Sequence, residues 1–379
     1  MIIAVDQAIP YWQNAFAELG EIRPFPGREL KAETIRDADA LIVRTITPVN
    51  ADILEGSSVR FVGAASAGID HVDQDCLKKR GIHFSYAMGC NANAVSEYIM
   101  TSLHVIASRR EWELKNKSLA VIGVGNVGSR VATKARGIGM EVLLCDPPLR
   151  QLTGDKEYKD FEDALKADIL SFHVPLVFKG PYPTWHMFDR HTLDRLSLRQ
   201  FLINASRGAV FDNRVLKSAL RETKLAGAIL DVWEEEPRVD YALLGLLDIG
   251  TPHIAGTSLD GKIRATEMIR DALCHYFGIQ SSWNTDSIYP EPRPIRLDKK
   301  TSGQEAVLTS LLKVFDIRKH DMDLRALGSM PAASAAAGFD RLRSECPLRP
   351  EFRHFMVDLS GSHSDLAQTF EALGFRHTM

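Results

Sequence analysis

Residues 118–137, SLAVIGVGNVGSRVATKARG, constrain this chain more than any other segment. A strand-length apolar run, a turn carrying Gly123, Gly125 and Gly128, and a helical pattern follow one another without a gap. Alone, a G-x-G-x-x-G is weak; placed between a strand and a helix it reads as a dinucleotide fingerprint. The glycines permit a tight turn, close backbone approach to a pyrophosphate, and close packing of helix on strand, while the helix N-terminus offers free N–H groups to the anion. Asp146 then ends the next apolar run, EVLLCD. A carboxylate there accepts hydrogen bonds from the adenosine ribose and repels a 2′-phosphate, so NAD is expected rather than NADP.

The surroundings repeat this rhythm. IIAVD, ALIVRT, VRFVGAAS and IHFSYA read as strands buried on both faces, separated by helical patterns such as PYWQNAFAELG. After the long helical stretch ANAVSEYIMTSLHVIASRR come SLAVI, EVLLCD, ADILSFHV, QFLINAS and LAGAILDV. The pattern predicts an α/β chain with two doubly wound parallel-sheet domains. SLDGKIRATEMIRDALCHYFG reads as an amphipathic helix returning to pack on the first domain. The expected boundaries are therefore 1–94 with 257–285 for a discontinuous substrate domain and 95–256 for a Rossmann domain. SSWNTDSIYPEPRPIRLDKKTSG has the composition of a linker. Beyond it, EAVLTSLLKVFDI, FRHFMVDLS and SDLAQTFEALGF predict a small α/β module over 290–379.

Composition narrows the function classes. Lys and Arg number 46 against 49 Asp and Glu, with no dense basic run, which argues against a nucleic-acid partner. MIIAVDQAIP lacks a basic leader followed by a long apolar core, and the apolar runs are strand-sized, so neither export nor membrane spanning is expected. Five scattered cysteines form no C-x-x-C pair and no Cys/His cluster with metal-ligand spacing; a reducing cytoplasm and no metal are the expectation.

Three segments close successive predicted strands: INASRGAVFD, ILDVWEEEP and GTPHIAG. Ligands of open α/β sheets bind at that edge. A hydride transferase acting on 2-hydroxy acids needs a cation for the carboxylate, an acid/base for the hydroxyl proton, and a group that tunes the base. Arg207 offers planar two-point recognition. His253 has an intrinsic pKa near working pH. A glutamate of Glu234-Glu235-Glu236 can hold the second imidazole nitrogen, and the acidic run by itself does not say which one. Asp231 either faces the nicotinamide or caps a turn; Asp212 reads as the cap of the helix NRVLKSALRE.

Together, GVGNVG with Asp146, NASRGAVFD, DVWEEEP and TPHIAG resemble the D-isomer-specific 2-hydroxyacid dehydrogenase family, in order and with suitable spacing. The resemblance implies Arg207 and Glu236 as the catalytic Arg and Glu and His253 as proton donor. It implies substrate contacts at Thr45 and Ser66, and dinucleotide contacts at Asn126, Val127, Asp146, Asp231 and Gly256. Two positions depart from the family pattern: Val174 stands where a Thr contacts the cofactor, and Thr257 where a Tyr lies beside the substrate. DQAIP, RTITPVN, SAGIDHVD, GCNANAVSEYI and HIAGTSLDGK are most similar to family members that oxidise 4-phospho-D-erythronate on the route to pyridoxal phosphate. The C-terminal module resembles their dimerisation domain, implying a homodimer. Another D-2-hydroxyacid such as 3-phosphoglycerate is the alternative substrate, and a dinucleotide-sensing corepressor the alternative class. A substrate phosphate needs a cation, and Arg44, at the end of ALIVR, leads Lys262 for that task.

Overall fold

In a computed structural model of the chain, residues 1–298, 300, 301, 303–360 and 363–378 are described. They form two compact units, Met1–Asn91 with Ser258–Pro290, and Ala92–Thr257 with Glu291–Met379. Among the described residues no helix is long and apolar enough to cross a membrane.

The first unit is built on a five-stranded parallel sheet. Its strands are β1 (Ile2–Asp6), β2 (Glu21–Phe25), β3 (Ala40–Val43), β4 (Phe61–Ala64) and β5 (His83–Tyr86), in the order β2-β1-β3-β4-β5. Every residue of β3 and β4 is buried, as continuous apolar runs covered on both faces must be. The helix Leu259–Phe277 is part of this unit; Ser258 caps it by accepting from Gly261 N at 2.9 Å. Gly63 lets the helix close on β4, since a Cβ there would lie 2.5 Å from Ile269 Cγ2. Burying a side chain such as Ile269 or Phe61 contributes about 2 kcal/mol.

In the second unit, six parallel strands run in the order β11-β10-β9-β8-β6-β7. They are β6 (Ser118–Ile122), β7 (Glu141–Cys145), β8 (Ile169–Phe172), β9 (Phe201–Asn204), β10 (Gly227–Leu230) and β11 (Ile249–Gly250). From β6 the chain goes outward to β7, then crosses back to β8 on the other side. That reversal opens a crevice at the carboxyl end of β6, the place such sheets use for ligands. The expected α/β class with a Rossmann domain is borne out.

The C-terminal residues differ in detail from the sequence reading. They hold a parallel sheet of β12 (Arg293–Arg296), β13 (Phe355–Asp358) and β14 (Arg376–Thr378), with helices Gly303–Val314, Ile317–Ala326, Ala332–Ser344 and Ala367–Leu373. β12 lies inside the segment with linker composition. Pro294 is tolerated because β12 is an edge strand, where a missing N–H breaks no ladder. EAVLTSLLKVFDI does not run on as one helix: it stops at Val314, and Asp316 caps a new helix by accepting from Arg318 N. Nor does the module stand apart, for it is fused to the NAD-binding fold. Arg325 donates to Leu244 O and Leu247 O, Asp321 Oδ1 accepts from Gly250 N at 2.7 Å, and buried Glu97 takes Arg349 Nη1 and Phe352 N.

Candidate active site

The glycine turn shows a different demand at each glycine. Gly123 has φ +86, the left-handed region, and a Cβ on it would lie 2.7 Å from His173 O and 2.8 Å from Val174 Cγ1. At Gly128 a Cβ would sit 1.9 Å from Gly123 O, so only hydrogen lets the helix Asn126–Gly137 start so close to β6. Around Gly125 a Cβ would meet nothing within 4 Å, leaving the backbone bare. That cradle fits a dinucleotide: Asn126 and Val127 form the first helical turn, where N–H groups are free for an anion. Asp146 sits beside it, with Oδ2 accepting from Val124 N at 2.8 Å and Oδ1 from Leu149 N at 3.0 Å. Val174 flanks the same turn.

Arg207 follows β9 on a turn fixed by buried Asn204, whose Oδ1 accepts from Ser206 N and Oγ and whose Nδ2 donates to Arg207 O. The turn is pressed against the end of the next strand, since a Cβ on Gly208 would lie 2.0 Å from the Trp233 carbonyl carbon. Here the three glutamates separate. Glu234 takes His186 Nε2 at 2.6 Å and Asn213 N at 3.1 Å, Glu235 is exposed, and Glu236 reaches the histidine. Glu236 Oε1 accepts from Trp233 N at 2.9 Å and Oε2 from His253 Nδ1 at 2.7 Å. Burial opposes its ionisation, but the hydrogen bond and charge of His253, with the Trp233 N–H and Arg343, hold its carboxyl below the usual range.

His253 itself has φ +57, a conformation that side-chain-bearing residues adopt only when their surroundings enforce it. The enforcing group is Asp231. Its carbonyl accepts from His253 N at 2.7 Å, Oδ1 from Thr251 Oγ1 and Ile254 N, and Oδ2 from Ala255 N at 2.9 Å. Tyr98 OH extends the chain to Thr251 Oγ1 at 2.7 Å, wholly buried. Asp231 is thus the hub of the histidine loop, which the sequence left between a nicotinamide contact and a turn cap. Gly256 and Thr257 follow half-buried, with Thr257 N donating to Ile254 O. Asn204 announces itself as a turn former at a strand end, whereas nothing local marks Tyr98 or Arg343.

The remaining residues expected near the substrate belong to the first unit. Arg44 follows β3 and donates from Nε to Asp6 Oδ2 at 2.8 Å and from Nη2 to Asp6 Oδ1 at 3.2 Å. Asp6 is fully buried, and the sequence reading missed this pairing. Thr45 is exposed; Ser66 is half-buried, its Oγ donating to Gly68 O at 2.8 Å. Lys262 lies half-buried on the helix Leu259–Phe277. Asp212 caps Asn213–Arg221 as expected, accepting from Arg214 N and Val215 N.

Residues 93–255 match the family model of the D-isomer specific 2-hydroxyacid dehydrogenase NAD binding domain. Residues 289–374 match a second family described as a domain of unknown function. The chain is 41% identical over 380 residues to an erythronate-4-phosphate dehydrogenase of Proteus mirabilis, with all of both chains covered. It is 43% identical over 377 residues to that of Azotobacter vinelandii, covering 99% of each. Among solved structures it is similar to NAD-bound 3-phosphoglycerate dehydrogenase of Entamoeba histolytica, with TM-score 0.62 and 26% identity, covering 73% of this chain and 95% of that one.

Proposed function

Because the chain belongs to the D-isomer specific 2-hydroxyacid dehydrogenases, in their erythronate-4-phosphate dehydrogenase branch, we propose that it oxidises 4-phospho-D-erythronate to 2-oxo-3-hydroxy-4-phosphobutanoate on the route to pyridoxal 5′-phosphate. NAD, when bound, supplies the hydride acceptor. The observation carrying the reading is the 2.7 Å hydrogen bond between His253 Nδ1 and Glu236 Oε2. With Nδ1 donating to the carboxylate, Nε2 presents its lone pair and takes the proton from the C2 hydroxyl as the hydride departs. Glu236 fixes the ring's tautomer and stabilises the imidazolium that forms. Arg207 holds the substrate carboxylate and the oxygen that becomes the carbonyl. Arg44, Thr45, Ser66 and Thr257 are the proposed further substrate contacts, and Gly123, Gly125, Asn126, Val127, Gly128, Asp146, Val174, Asp231 and Gly256 the proposed cofactor contacts. A homodimer through residues 290–379 completes the proposal.

The test is a steady-state panel of 4-phospho-D-erythronate, 3-phosphoglycerate and unphosphorylated D-erythronate with NAD. The expected result is a kcat/KM for 4-phospho-D-erythronate at least tenfold above the others. A preference for 3-phosphoglycerate would overturn the substrate while leaving the reaction. Light scattering checks the dimer; a monomer at working concentration contradicts it.

A further inference from the structure

We propose that Arg343, carried by the C-terminal module, is a substrate-specificity residue whose guanidinium receives the terminal phosphate of the acid held at His253. The inference rests on the reading of the substrate given above. Arg343 lies in the last turn of the helix Ala332–Ser344, and its Nη1 is 3.8 Å from Glu236 Oε2, the oxygen to which His253 Nδ1 donates. The helix is seated, with Phe339 fully buried and Gly338 so close to Leu327 that a Cβ would lie 2.7 Å from its Cδ2. The cation is therefore delivered to the catalytic pair by design of the module rather than by a wandering surface chain.

Glu236 does not require it. Both carboxylate oxygens already accept hydrogen bonds, from Trp233 N and His253 Nδ1, and 3.8 Å is beyond hydrogen-bond reach. An arginine serving only that carboxylate would close to a two-point pair. Instead Arg343 stands off, one-third exposed, and among the described residues makes no other ion pair or hydrogen bond. Its N–H donors are spare, planar and cationic, which is the chemistry that grips a phosphate. Arg44, by contrast, has two of its donors and its charge committed to buried Asp6. There is also a coupling to the reaction. When His253 gains the hydroxyl proton, the Glu236 charge is matched by the imidazolium, and the Arg343 charge is left for the dianion.

The experiment compares wild type with Arg343→Ala and Arg343→Lys, each checked for an unchanged melting temperature and NAD affinity. Expected in the alanine variant are a KM for 4-phospho-D-erythronate raised at least tenfold, kcat within threefold of wild type, and a Ki for inorganic phosphate raised about as much. The lysine variant should recover part of both. An unchanged KM and phosphate Ki overturn the proposal. So does an equal loss on D-erythronate with a displaced kcat–pH profile, which would make Arg343 a positioning residue for Glu236. Should wild type prefer a different phosphorylated acid, the functional reading fails, and phosphate inhibition still decides the role of Arg343.

Discussion

At the carboxyl end of β1 the first sheet presents Asp6 locked onto Arg44, whereas the second sheet, after β6, presents a bare glycine turn and the free N–H groups of a helix. β1 and β6 are alike, both in parallel sheets and both buried after their first residue. What differs is whether the loop at the sheet edge satisfies its own polar groups or leaves them for a ligand. The long helices that back the two sheets differ in what they bury. Leu259–Phe277 buries Arg270 with donors filled by Ala15 O, Ser281 O and Ser281 Oγ, while Ala92–Arg110 buries His104, a group that titrates.

The contrast can be broken most severely at the histidine. Replacing His253 with Ala removes the proposed proton acceptor and is expected to lower kcat about a thousandfold. NADH affinity, measured by fluorescence titration, should stay within threefold, because the glycine turn is untouched; a parallel loss of affinity would mean the loop and the turn are not independent. Acid comes next. Burial pushes His104 down to about 4, well below its unfolded value. The folded protein thus refuses a proton that the unfolded chain accepts. This contribution, about 3 kcal/mol, is present above pH 6.5 and is lost as pH falls from 6.5 to 4. Denaturant melts over that range should show this loss as the pH falls. His104→Gln should flatten the slope.

Smaller effects sharpen the difference within the glycine turn. Gly128→Ala must move backbone against Gly123 O and should cost about 2 kcal/mol of stability in a urea titration. Gly125→Ala has open space, so its melting temperature should hold while NAD binding weakens. Equal destabilisation by both would contradict their separate roles. Smallest is Arg44→Ala. It removes the partner of buried Asp6 and should change KM for 4-phospho-D-erythronate and D-erythronate alike; a loss about tenfold larger, or about 1.4 kcal/mol, on the phosphorylated substrate alone would return the phosphate to Arg44.

Much of the second unit was legible because its signals are local. Strand, glycine turn, helix and Asp146 lie within thirty residues of one another, and each carries its own stereochemical reason. Glu236 could not be told from Glu234 and Glu235 by residue type, since what separates them is that Glu234 finds His186 and Asn213 N while Glu236 finds His253. The pairing of Asp6 with Arg44 and the approach of Arg343 to Glu236 join residues far apart in the chain, so no periodicity records them. β12 was hidden for a different reason: an edge strand tolerates the proline that a sequence reading takes as a breaker.

The hydrogen bond from Gly250 N to Asp321 has a consequence for how the enzyme comes into being. β11 is two residues long and leads directly into the loop that holds His253 in its left-handed conformation. Its anchor lies seventy-one residues downstream. During synthesis the Rossmann strands emerge first and can pair with one another, but the Gly250 N–H at the entrance to the histidine loop finds its partner only in residues that leave the ribosome later. A nascent chain can therefore acquire its dinucleotide cradle before the strand that leads into the histidine loop is anchored.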